Sequence, residues 1–169
     1  MPVVNPGHLL DQSDDFIGNL RGGAPRQADL RRAISNAYYA LFHAILCEAA
    51  DDFVGSSRRQ SARYAMVYRS VSHKHVRSLC DDLAKSKLPA RYAKCTPAGG
   101  FGTDIVAVAT AFGELQENRH TADYDPLARI RMSDAQHAVA TSKAALVRLR
   151  AANKTKKKAF LSLVVFDPV

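Results

Sequence analysis

The stretch RQADLRRAISNAYYALFHAILCEAA, residues 26–50, decides the fold. After Pro25 it holds neither glycine nor proline, and a proline just ahead of it suits a helix start. Leu30, Ile34, Leu41, Ile45 and the ring of Tyr38 fall close to one stripe at helical spacing. Ala33, Ala37, Ala40 and Ala44 form a small-residue stripe beside it, and Ser35, Tyr39, Phe42 and Leu46 cover much of the remainder. A helix apolar almost all round sits at the centre of its fold or in an interface. Its alanines predict close approach of a neighbour, near the short end of the usual range of about 8–10 Å.

The same reading extends to both sides. Leu9, Leu10, Phe16, Ile17 and Leu20 predict a short first helix, stopped by Gly22-Gly23. Beyond Gly55-Ser56-Ser57, residues 58–85 read as helical with a break near residues 70–72. Residues 87–102 hold Pro89, Pro97 and Gly99-Gly100 and read as a loop. Ile105, Val108, Phe112 and Leu115 predict a helix over about 103–119. Asp125-Pro126 resembles an N-cap followed by proline at the first helical position. Ser133 resembles another cap, opening a helix to about Ala152. The end of the chain carries Lys154, Lys156, Lys157 and Lys158, then an apolar, β-prone run from Phe160 to Phe166. With no strand ladder in sight, the expectation is an all-α, single bundle of about five helices.

A chain of 169 residues fits one domain, and 47% hydrophobic with 24% charged residues is a globular composition. No apolar run approaches the roughly 20 residues of a membrane span. The N-terminal residues lack the pattern of a signal peptide, so the expected location is the cytoplasm. Cys47, Cys80 and Cys95 are odd in number and widely spaced, which reads as reduced thiols. The formal charge of +8 and a pI near 9.6 favour contact with phosphate backbones, without specifying a fold.

Chemistry gathers in residues 116–126, where Arg119, His120, Asp123 and Tyr124 lie near a helix end. One account is structural: cations suit the negative end of a helix dipole, Asp123 pairs with a neighbour and Asp125 caps a turn. The sharper account is a phosphate and 2′-hydroxyl site. Metal-free RNA cleavage needs a base, a proton donor and a cation for the charge developing on phosphorus. Arg119 supplies a planar cation, His120 an imidazole that can serve as base or acid, and Tyr124 can donate a hydrogen bond. On the long helix, Ser35, Tyr39 and His43 recur every four residues along one side. His43 with Cys47 offers only two metal ligands, and His73 with His75 diverges at i, i+2, so no metal and no cofactor is expected.

Three segments resemble HEPN-domain proteins. Arg32 to Ala44 is similar to their S-x-A-Y-Y-A-x-F-H helix signature, Ser72-His73-Lys74-His75-Val76 to a short "SHK" segment of one bacterial branch, and Arg119 to Asp125 to that branch's R-x-x-A-D-Y-D segment. The three occur in the family's order over about two-thirds of the chain. The resemblance implies a HEPN-like bundle over residues 1–153, followed by a basic and apolar tail over 154–169. It implies a homodimer formed through central helices and a toxin–antitoxin or defence setting, often beside a nucleotidyltransferase. It also implies RNA or nucleotide binding through Arg119, Asp123, Ser35, Tyr39 and His43. Active members are metal-independent ribonucleases with an Arg-x(4–6)-His motif. Here the residue after four intervening positions is Tyr124, not histidine, and His120 adjoins the arginine instead. The sequence therefore favours binding, with catalysis by Arg119, His120 and Tyr124 left open. The alternative is a non-catalytic dimeric interaction module that partners a nucleotidyltransferase or another subunit.

Overall fold

The computed structural model describes residues 4–18 and 22–168, and among them there is no strand. Seven α-helices follow in order: α1 (Pro6–Gly18), α2 (Gln27–Val54), α3 (Ala62–Ser70), α4 (His73–Leu83), α5 (Gly102–Tyr124), α6 (Met132–Ala151) and α7 (Lys154–Val165). Two 3-10 turns, Ser56–Arg58 and Ala90–Cys95, lie between them. The all-helical expectation holds, with more helices than the five read from the pattern. Leu20, assigned to the first helix, lies outside the described residues. No described helix is long and apolar enough to cross a membrane.

α2 is the axis of the bundle, packed against α1, α3, α5, α6 and α7. Ala33, Ala37 and Ala40 are fully buried, and Ala44 is nearly so. Small side chains let hydroxyls from neighbouring helices reach the α2 backbone: Ser13 Oγ donates to Ala33 O at 3.2 Å and Ser142 Oγ to Ala37 O at 2.8 Å. The alanine stripe is thus filled from within the chain. Along its middle turns α2 leaves toward solvent an edge at i, i+4 spacing, through Tyr39, His43, Cys47 and Asp51, each partly exposed, with Glu48 beside it. α2 ends at Gly55, whose φ of 96° only glycine adopts without strain.

The expected break near 70–72 is an elbow: α3 ends at Ser70 and Ser72 caps α4 through its side chain. α5 runs past the expected end at Arg119 to Tyr124. Asp125 does not open a helix; its Oδ1 accepts from Leu127 N and Ala128 N and so caps a turn only. The next helix starts at Met132, where Asp134 rather than Ser133 returns a bond to the capping residue, at Arg131 N. Residues 154–165, expected as a tail, form α7 instead. Asn153 caps it, and Phe160, Leu161, Leu163 and Val164 are buried. Burial of such side chains, roughly 1.5–3 kcal/mol each, outweighs the weaker β-preference of their branched neighbours. The lysines are fastened too, Lys157 to Glu48 at 3.1 Å and Lys158 to Asp52 at 3.8 Å.

Two side chains near the start of α2 hold the end of α5. Arg31 Nη1 donates to Ala122 O at 2.7 Å and Asp125 O at 2.9 Å, and its Nη2 donates to Ala128 O. These satisfy carbonyls that a helix end leaves open. Gln27 exchanges two bonds with Ile130, at 2.7 and 2.9 Å. The last turns of α5 are therefore clamped beside the solvent-reaching edge of α2.

Candidate functional site

Because α5 continues to Tyr124, Arg119, Asp123 and Tyr124 occupy consecutive turns and meet side by side. Arg119 Nε lies 2.7 Å from Asp123 Oδ2, but its N–H does not aim at that oxygen, so the contact is Coulombic and not a hydrogen bond. Ser35 Oγ, from the buried side of α2, donates to Asp123 Oδ1. Arg119 Nη2 donates to the hydroxyl oxygens of Tyr39 and Tyr124, each at 3.1 Å. The guanidinium carbon also stands 5.8 Å from the Tyr38 ring, 5.5 Å from that of Tyr39 and 5.1 Å from that of Tyr124, within cation–π range. Ser35, Tyr39, Arg119, Asp123 and Tyr124, singled out in sequence, do come together.

The donors left over define what the cluster can take. Both hydrogens of Nη2 are engaged, whereas Nη1 has no partner among the described residues. The Tyr39 and Tyr124 hydroxyls accept from arginine, and their own protons meet no acceptor there. Besides the buried Nε–H, two N–H and two O–H donors thus surround one cation whose side chain is 20% exposed. Burial acts against the guanidinium charge, but Tyr39, Asp123 and Tyr124 outweigh it and hold the pKa above its usual value. Such a group stays charged at any physiological pH and suits an anion with several acceptor oxygens.

His43 adjoins the cluster through Tyr39, ring to ring at 6.0 Å. Its Nδ1 lies 2.6 Å from the Tyr68 hydroxyl. Sequence reasoning weighed His73 only as a metal ligand and as part of the SHK segment, yet its ring stacks on Phe42 at 3.8 Å, stands 5.9 Å from Tyr39, and puts Nδ1 2.6 Å from the Tyr38 hydroxyl. Burial pushes the Tyr68 phenol up to about 12 and Tyr38 higher still. Both phenols remain protonated with no other acceptor among the described residues, so each donates to its histidine and leaves Nε2 carrying the hydrogen. Burial, then the nearby His73, lowers the pKa of His43; burial, then Arg119, lowers that of His73. The SHK segment was the one sequence signal that could have brought His73 in.

His120 stands apart. Its ring is 5.1 Å from Tyr124, and it lines a shallow groove with Arg77, Gln116, Glu117 and Thr121. No contact joins its imidazole to the guanidinium of Arg119. Among the described residues no group of three or more His, Cys, Asp or Glu could hold a metal ion.

Comparison of the chain with protein-family models, with curated proteins and with solved structures found no match.

Proposed function

We propose that the chain is a HEPN-like protein whose face around Arg119 binds RNA or a nucleotide. The observation that carries this reading is the set of four donors, from Nη1, Tyr39 and Tyr124, gathered at one permanent cation without an acceptor among the described residues. A phosphate supplies what they lack. Tyr124, 61% exposed and flanked by the exposed His120, offers ring faces on which a base stacks, an interaction of about 1–3 kcal/mol.

Cleavage is the more demanding part of the reading. It needs a base at the 2′-hydroxyl and a donor at the leaving oxygen. Tyr39 and Tyr124 are suited to donate; His120, beside Tyr124, is the imidazole at that end of the cluster. The resemblance implies a toxin-type role with a nucleotidyltransferase partner, and a homodimer. A second copy would not meet α2 along the alanine stripe, which is covered within the chain.

A second reading, a non-catalytic interaction module, draws on the ties of Arg119 to Asp123, Tyr39 and Tyr124, which serve structure as well as binding. Anisotropy of labelled single-stranded RNA in excess chelator, with a gel of the same samples, separates the two. Arg119→Ala is expected to weaken binding by roughly 1–3 kcal/mol, about tenfold or more, and Arg119→Lys to keep part of it. Equal affinity of wild type and a folded Arg119→Ala would remove this residue from the site and favour the module. Shortened RNA with wild type alone would establish metal-independent cleavage.

A further inference from the structure

The charge of the chain is unevenly placed. Residues 53–80 contain Arg58, Arg59, Arg63, Arg69, Lys74 and Arg77 and not one Asp or Glu. Two of these cations are engaged by carboxylates from elsewhere, Arg59 by Asp51 and Arg77 by Asp81 and Glu117. At the α3–α4 elbow, Arg69 and Lys74 are exposed and have no ion pair or hydrogen bond to the described residues. Lys74 also stands in the first turn of α4, where the helix dipole disfavours cations, so its placement does not serve the helix.

The elbow adjoins the Arg119 cluster at both ends. Tyr68, one residue before Arg69, donates to His43, and His73, one residue before Lys74, stacks beside Phe42 and faces Tyr39. His43 and His73 each lie about 6 Å from the Tyr39 ring, which itself lies 5.5 Å from the Arg119 guanidinium carbon. Along this line the Nε2–H of each imidazole and the two cations are donors, and none has an acceptor among the described residues. The carboxylate within the line, Asp123, is engaged by Ser35 and Arg119.

We propose that the binding face runs as one track from Arg119 across His73 to Arg69 and Lys74, and therefore takes a single-stranded polynucleotide several residues long in preference to a mononucleotide. The proposal rests on the reading of the Arg119 face given above. Ring faces and imidazoles alternate with cations along the track, the combination that binds single strands with little sequence preference.

The test compares a labelled RNA of about ten nucleotides with a labelled mononucleotide, on the full chain in excess chelator. Arg69→Glu with Lys74→Glu is set beside Lys87→Glu with Lys94→Glu, an equal charge change in the loop beyond the far end of α4. All four residues are exposed, and circular dichroism checks that each variant folds. Expected for the elbow variant are an affinity for the long RNA at least about tenfold weaker, a slope of log affinity against log salt shallower by roughly 1.4, and unchanged mononucleotide binding. The loop variant should show neither of the two changes in RNA binding. Equal weakening by both variants, or wild-type affinity independent of length, would overturn the track and leave the Arg119 site standing. Loss of mononucleotide and RNA binding alike in the elbow variant would also sink it. Wild type that binds neither ligand would remove the underlying reading and the track with it.

Discussion

Arg119 is held by a carboxylate and by two phenol oxygens, and the two kinds of partner have opposite consequences for an anion. The phenols lend it protons; Asp123 repels it and neutralises the guanidinium. Asp123→Asn keeps an oxygen for Ser35 and removes the charge, so it should tighten RNA binding by about 0.2–1 kcal/mol, roughly up to fivefold. A purely structural Arg119 predicts no gain, and titration of labelled RNA decides between them. The grouping of Arg119, Asp123 and Tyr124 was legible as a polar run over residues 116–126, but the helix was expected to end at Arg119; its continuation to Tyr124 is what makes i, i+4 neighbours meet. Ser35 and Tyr39 were legible from the same periodicity on α2. His73 was not, because what places it is stacking on Phe42 and a bond from Tyr38, contacts across 31 and 35 residues that no local spacing encodes. His120 shows the converse: next to Arg119 in the chain, it is turned about 100° away around the helix, toward the Arg77 groove.

At the level of elements, α2 was readable in full and its neighbours in part. A helix apolar on every side told of a central position but not of what would cover it. The structure fills the alanine stripe with α1 and α6, whose Ser13 and Ser142 bond to its backbone. Ala40→Leu should therefore lower stability by about 1–3 kcal/mol through overpacking while leaving the mass in solution unchanged. Urea unfolding with light scattering measures both; a drop in mass at unchanged stability would make the stripe an interface between copies. α7 was less legible, since Val164 and Val165 carry a strand preference that burial against the bundle overrides. The loop after α5 misled for another reason. Asp125 satisfies two backbone donors in a turn just as it would at a helix start, and Gln27 and Arg31 on α2 then hold the following residues out of helix.

For the whole molecule, placing two imidazoles beside a permanent cation makes the stability of the fold depend on pH. Burial and the neighbouring His73 lower His43, and burial and Arg119 lower His73, both from 6.5. Above 6.5 both histidines are neutral in the folded and unfolded chains, and their contribution is constant. As pH falls through 6.5 the unfolded chain takes up protons that the folded chain refuses, so stability drops and continues to drop until the folded pKa values are passed. The carboxylates titrate lower, which leaves the interval between pH 7.5 and 5.5 to the histidines. The urea midpoint should be lower at pH 5.5 than at 7.5, and the difference should shrink when His43 and His73 are both replaced by glutamine, which preserves an acceptor for Tyr68 and Tyr38. An undiminished difference in that variant would show that the pH dependence does not arise from His43 and His73. On the proposed reading, phosphates bound along the same face would act in the opposite sense, since an anion beside an imidazole favours its charged form. The stabilisation that RNA confers should accordingly grow as pH is lowered across this interval, and melting with and without RNA at the two pH values reads it directly.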